Sequence, residues 1–170
     1  NSIAEAVNPH HYEWWHTTAT VGFFGASASA AVLLGLNSER TGHALATAGT
    51  MAAGLQQAFR ADAMSKPIHS GRAAEGGVLS ALLAKNGVTG AFDILEGERG
   101  FGNAMSANVD WTKSVDMLEN NHSITKITQK NHAACGHVHA IIDALNHIRN
   151  TNEINPTKIK KIKIASYQKT

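Results

Sequence analysis

The sequence predicts a mostly α chain, with an all-helical domain over residues 1–123 and the beginning of an α+β domain over 124–170. Three observations carry this. Apolar residues recur at i, i+3 and i+4 over residues 39–59 and again over 138–148, the spacing of one helix face. From Thr17 to Leu36 the chain is small and apolar most of the way round, as an interior helix packed closely by others would be. Near the end, Ile162 and Ile164 alternate with Lys161 and Lys163, the period of a half-exposed strand.

In chain order, Asn8 to His16 (NPHHYEWWH) reads as a polar aromatic loop with three histidines. The helix from Thr17 has Phe23, Phe24, Val32, Leu33 and Leu34 as its bulky members and ends at Gly35 and Asn37. Ser38 and Glu39 restart a helix as an N-cap and first turn. That helix is expected to reach Phe59, with Ala44, Leu45, Ala48, Met51, Ala52 and Leu55 on one face. A loop follows, with Lys66 and His69 either side of Pro67, which sets a rigid, non-helical approach. A buried helix over Ser70–Lys85 then presents Val78, Leu79, Leu82 and Leu83, and Gly87 stands where a left-handed C-cap belongs.

TGAFDILEG is a short segment, the glycines of ERGFGNAM read as a loop, and Trp111–Glu119 reads as a short helix. The character changes near His122. Ile124 and Ile127 read as a short strand or extended entry, and KNHAACGHVH as a polar junction. Val138, Ile141, Ile142, Leu145 and Ile148 then mark the cleanest amphipathic helix, and Asn155-Pro156 makes a turn.

Composition narrows the class. The 170 residues are 43% hydrophobic and 16% charged, a globular balance, and the net charge of +2 is too slight to argue for nucleic acid. The one basic run, KIKKIKIASYQK, is better explained as a solvated strand face than as a phosphate-binding patch. A single cysteine, Cys135, excludes a disulfide framework and a cluster held by several cysteines of this chain. No stretch of eighteen uninterrupted apolar residues and no basic-then-apolar leader is present, so a soluble intracellular chain is expected, with no membrane partner. The start at Asn1, without a methionine, reads as the middle of something longer.

Three polar clusters stand where loops enter helices: His16 with Thr17; Lys66 with His69; and Lys130, Cys135, His137 and His139. A cation and an imidazole at a helix entrance, backed by small residues, form a corner suited to anions; the plainer reading is a solvated lysine and a cap-region histidine. The third cluster raises a metal site. However, Cys135, His137 and His139 lie two apart and face different sides of a helix, and no second ligand pair of zinc spacing is present. Nor does an acyl-transfer signature surround Cys135. GFGN at 100–103 follows no strand and is no phosphate loop.

Four segments, in order, resemble the 2-methylcitrate dehydratase or MmgE/PrpD family, whose members include cis-aconitate decarboxylase and iminodisuccinate epimerase. WWHTTATVGFFGASASAAVLLGL is similar to its His-Thr segment and Gly/Ala helix, and HALATAGTMAAGL to the next helix. KPIHSGRAAEGGVLSALLAKNGVTG is similar to its Lys-x-x-His motif, and KNHAACGHVHAIIDAL to the entry of its small domain. The resemblance implies a large helical domain with a smaller α+β lid, a homodimer, and an active site in the cleft between domains. It implies a lyase or isomerase of di- or tricarboxylates, 2-methylcitrate dehydratase-like, working without cofactor or metal in propionate metabolism. The compartment would be the cytoplasm, or the mitochondrial matrix in a eukaryote. Decarboxylation and epimerisation are its alternatives.

Carried over residue by residue, the catalytic positions are His16, Lys66, His69, Lys130, Cys135 and His139. Substrate contacts fall to Thr17, Lys66, Arg72 and Lys130. Such chemistry needs a base next to a carboxylate, an acid for the leaving hydroxide and cations for the developing charge, which histidines and lysines supply. The lone cysteine fits too, because an aconitase-like route would need a cysteine-bound cluster. The family pattern extends before Asn1 and after Thr170, so an incomplete site is expected here. Arg72 stands where an aromatic is common. A non-catalytic helical interaction fragment is the reading from another class. Apolar faces left without partners would make the chain alone oligomeric or poorly cooperative in unfolding.

Overall fold

The computed structural model describes residues 1–61, 63–120, 125 and 127–166. The chain divides into two compact units, Asn1–Ser123 and Ile124–Thr170. No sheet is present among the described residues, and the mostly α fold class holds.

The first unit contains α1 (Ser2–Val7), α2 (His10–Trp14), α3 (Thr17–Leu33), α4 (Ser38–Met51), α5 (Ile68–Lys85), α6 (Phe101–Met105) and α7 (Trp111–Asn120). Its centre is a three-helix layer. Gly22 meets Ala73, Phe23 meets Gly76, and Ala26 meets Gly77, while Ala30 and Ala31 cluster with Ala81 and Ala84. Residue numbers rise together along that seam, so α3 and α5 run parallel. On α4 the order reverses. Ala44 joins the Ala30–Ala84 cluster, whereas Ala48 and Ala52 pack with Phe23, Phe24 and Ala73. Arg40, at the start of α4, donates to the Lys85 carbonyl at 3.3 Å.

This seam corrects the reading of α5. The helix buries Ala73, Gly76, Gly77, Ser80, Ala81 and Ala84, while Val78, Leu79 and Leu82 are exposed. Close approach explains the inversion. A Cβ at Gly77 would lie 2.7 Å from the Ser27 backbone nitrogen and 2.8 Å from the Phe23 carbonyl oxygen, so only small residues fit on that face.

Helices α3 and α5 stop in the same way. Gly35 and Gly87 take positive φ (65° and 92°) one residue beyond the C-caps Leu34 and Asn86. Leu36 N–H then reaches Ala31 O, and Val88 N–H reaches Leu83 O, each at 3.0 Å. These are the paired bonds of a Schellman turn, as Gly87 predicts.

Four further expectations need correction. Residues 10–14 of the aromatic loop are helical, anchored by fully buried His11. The second long helix ends at Met51 instead of Phe59, because Gly54 (φ 158°) turns the chain so that Leu55 bridges Trp15. Its N-cap is Asn37, whose side chain accepts from Arg40 N–H at 2.9 Å, rather than Ser38. Within ERGFGNAM, Phe101–Met105 form a helix because buried Phe101 packs edge-on to Phe24, with ring centres 5.1 Å apart.

The second unit contains α8 (His139–Thr151), preceded by a 3₁₀ turn at Gly136–Val138 and followed by another at Pro156–Lys158. Ile162 and Ile164 are exposed and make no ladder, and Ile127 is likewise outside any strand. Strand alternation needs a partner edge, and the described residues offer none. Ile124, the other half of that expected strand, lies outside the described residues. No helix among the described residues is long and apolar enough to cross a membrane.

Candidate functional site

The parallel run of α3 and α5 brings their N-termini side by side. His16 is the N-cap of α3 and His69 the second residue of α5. Their Nδ1 atoms lie 2.9 Å apart, a direct hydrogen bond between two imidazoles separated by 53 positions. The His16 backbone N–H donates to Gly54 O at 2.9 Å, which ties the site to the turn after α4. A Cβ at Gly54 would collide with Ala19 and touch the His69 ring at 3.4 Å. Gly54 therefore lets the turn pass beneath both histidines.

Phe59 closes one side. Its ring meets His16 edge-on at 4.4 Å between centres, and the Lys66 ammonium sits 4.2 Å above its face. The cation is thus held near the histidines by the ring's negative face while remaining exposed. Burial pushes the His16 pKa down to about 4, with neighbouring His69 and Lys66 adding to the effect. His69 lines an open depression of about 420 Å³ with Leu55, Gln57, Ala58, Ala63 and Ser65.

A third histidine is linked to this corner through Thr20. His11 is completely buried and donates from Nδ1 to Met105 O at 3.1 Å, so its Nε2 accepts from the Thr20 hydroxyl at 2.7 Å. Thr20 also stands 3.3 Å from the His16 carbonyl. Burial holds the His11 pKa below its ordinary value. Thr17, the first residue of α3, donates to Asn8 Oδ1 at 3.5 Å. Arg72 is exposed and paired with Glu75 at 2.7 Å along α5.

In the second unit, Lys130 is exposed and Cys135 is a free, exposed thiol. His139 donates from Nε2 to Ala134 O at 3.3 Å and meets the His132 ring edge-on at 5.1 Å. His132 in turn pairs with Asp143 Oδ1 at 2.7 Å. Among the described residues no group of three His, Cys, Asp or Glu side chains is arranged to hold a metal ion.

The structure therefore brings His16, Lys66 and His69 into one cluster within the first unit. Sequence reasoning missed Phe59, which touches two of them, because a phenylalanine at the end of an apolar stripe carries no mark of a polar site. It also missed Asp143, eleven positions from His132 with no spacing rule to connect them.

Residues 1–114 match the MmgE/PrpD N-terminal domain, and the chain belongs to that family. It is 40% identical over 88 residues to cis-aconitate decarboxylase of Homo sapiens, a match covering 52% of this chain and 18% of that protein. It is 30% identical over 138 residues to the cis-aconitate decarboxylase-like protein oryM of Aspergillus oryzae, covering 77% of this chain and 28% of that protein. The chain thus spans less than a third of either relative.

Proposed function

We propose that this chain forms part of a lyase acting on di- or tricarboxylates by proton transfer next to a carboxylate. The observation that carries the proposal is the His16–His69 contact at the joined N-termini of α3 and α5, with Lys66 beside it. Two helix N-termini and an ammonium favour an anion there. The His16 imidazole, held neutral by burial, is available as a base near pH 7. His16 and His69 take the proton-transfer roles, and Lys66 neutralises a substrate carboxylate. Thr17 and Arg72 are proposed carboxylate contacts, the latter after release from Glu75. Lys130, Cys135 and His139 join the set through the family resemblance. The soluble cytoplasmic homodimer expected from the sequence belongs to the same proposal.

Dehydration of 2-methylcitrate or a similar hydroxy acid is the first reading, since it needs one base, one acid and a cation. Decarboxylation is the second, favoured by the names of the two relatives above. The test uses the longest form of the gene with chelator present. Alkene formation from 2-methylcitrate and citrate is followed by ultraviolet absorbance, and CO₂ release from cis-aconitate is followed in parallel. Turnover in either assay, reduced about 100- to 10 000-fold in His16→Asn, is the expected result. Silence in both would leave epimerisation, read by exchange of the substrate α-proton with deuterated water. Silence there too would favour the non-catalytic interaction fragment.

A further inference from the structure

We infer that His16 and His69 form a neutral proton-sharing pair locked in opposite tautomers, so that together they present one base and one acid. The contact sets where the protons lie in a neutral pair. A hydrogen bond between two Nδ1 atoms 2.9 Å apart needs one proton on one of them and a lone pair on the other. In the neutral pair, the ring with Nδ1–H has a bare Nε2, a base. The ring accepting at Nδ1 has its proton on Nε2, an acid. Neither histidine alone fixes its tautomer; each fixes the other's.

A charged pair would satisfy the same contact, but its surroundings oppose it. Among the described residues, the groups facing the pair are the Lys66 ammonium, the Phe59 ring and the N-terminal ends of α3 and α5. Among the described residues, no carboxylate makes an ion pair with either histidine. At His16, partial burial, the neighbouring cation and the positive helix end all penalise imidazolium.

This arrangement deepens the lyase proposal, on which its catalytic meaning rests. A proton removed from substrate carbon binds the bare Nε2, leaving the bonding pair on carbon. The resulting imidazolium passes its Nδ1 proton across to the partner's Nδ1. That partner then releases its own Nε2 proton to the departing hydroxide, which leaves as water while the carbon pair forms the new double bond. Protons and electrons balance, and the two rings finish with their tautomers exchanged. Reverse passage of a proton from solvent resets them.

The experiment needs no catalysis. The chain labelled with ¹⁵N is examined by two-bond ¹H–¹⁵N correlation near neutral pH, with histidine rings assigned through their Cβ–Hδ2 connections. One of His16 and His69 is expected as the Nδ1–H tautomer and the other as Nε2–H, with a ¹⁵N–¹⁵N coupling across the shared proton. Both rings as Nε2–H, or either ring as imidazolium, would overturn the inference. If the pair is seen but all substrate assays are silent, the proton-sharing pair stands and the polycarboxylate reading falls.

Discussion

The Phe23 ring occupies the space that a Cβ at Gly76 would need, and Phe23 is itself buried with 1% of its surface exposed. The ring has nowhere to retreat. Gly76→Ala is therefore expected to destabilise the first unit by about 1–3 kcal/mol through overpacking, despite the better helix propensity of alanine. Gly77→Ala should cost at least as much, because two of the atoms it meets are backbone. Gly25→Ala on α3 is the control. Nothing lies within 4 Å of its Cβ, so a gain of about 0.5–1 kcal/mol is expected. Urea unfolding measures all three, and a stabilised Gly76→Ala would refute the seam.

Gly54 gives a more local test. Gly54→Ala is expected to push Ala19 and the His69 ring apart and weaken the His16 N–H bond to residue 54. The measured signs are a loss of about 1–3 kcal/mol and disappearance of the nitrogen–nitrogen coupling between His16 and His69. Retention of that coupling would show that the turn does not set the pair.

Thr20 satisfies His11 in the core. Thr20→Val preserves shape but leaves His11 Nε2 buried without a donor, at a cost of about 1–3 kcal/mol. His11→Ala adds a cavity to the lost hydrogen bonds and is expected to cost more, about 2–5 kcal/mol. Equal stability of Thr20→Val and the parent chain would argue against the hydrogen bond.

Acid should unfold the first unit through its histidines. His16 falls from its ordinary 6.5 to about 4 on folding, and His11 moves in the same direction. Below the unfolded value the unfolded chain binds more protons, so stability is lost as pH falls from about 6.5 toward about 4. Above about pH 7 these groups contribute no slope. Denaturant midpoints from about pH 7.5 to 4 read this directly, and His16→Asn should flatten part of the decline. An unchanged slope in that variant would assign the acid sensitivity elsewhere.

Replacing Lys66 with Ala in a catalytically complete form is expected to lower kcat/KM by about 10- to 100-fold, the loss of one hydrogen bond to a charged group. The proton-transfer step should suffer less than in His16→Asn. Unchanged kcat/KM would remove Lys66 from the site.

Much of this was legible in the sequence. The Gly/Ala run named α3, and Gly87 named the end of α5, because helix stops follow from local backbone freedom. His16, Lys66 and His69 stood out as polar groups at helix entrances. Which face of α5 is buried did not, since Val78 and Leu79 outweigh Gly76 and Gly77 in any hydrophobic pattern. Only the distance to the neighbouring helix reverses that ranking. The early end of α4 was hidden for a similar reason: Leu55 continues the helical stripe, but its place is set by Trp15, forty positions away. Likewise the meeting of His16 and His69 depends on α3 and α5 running parallel, which no short motif encodes.

The glycine seam also sets a mechanical tolerance. A slip of one residue along α3 would carry His16 about 1.5 Å along the helix axis. That is half the 2.9 Å separating it from its partner imidazole. Phe23 against Gly76 and Ala26 against Gly77 block such sliding, so the alignment of two ring nitrogens at one end is gauged about two to three turns away.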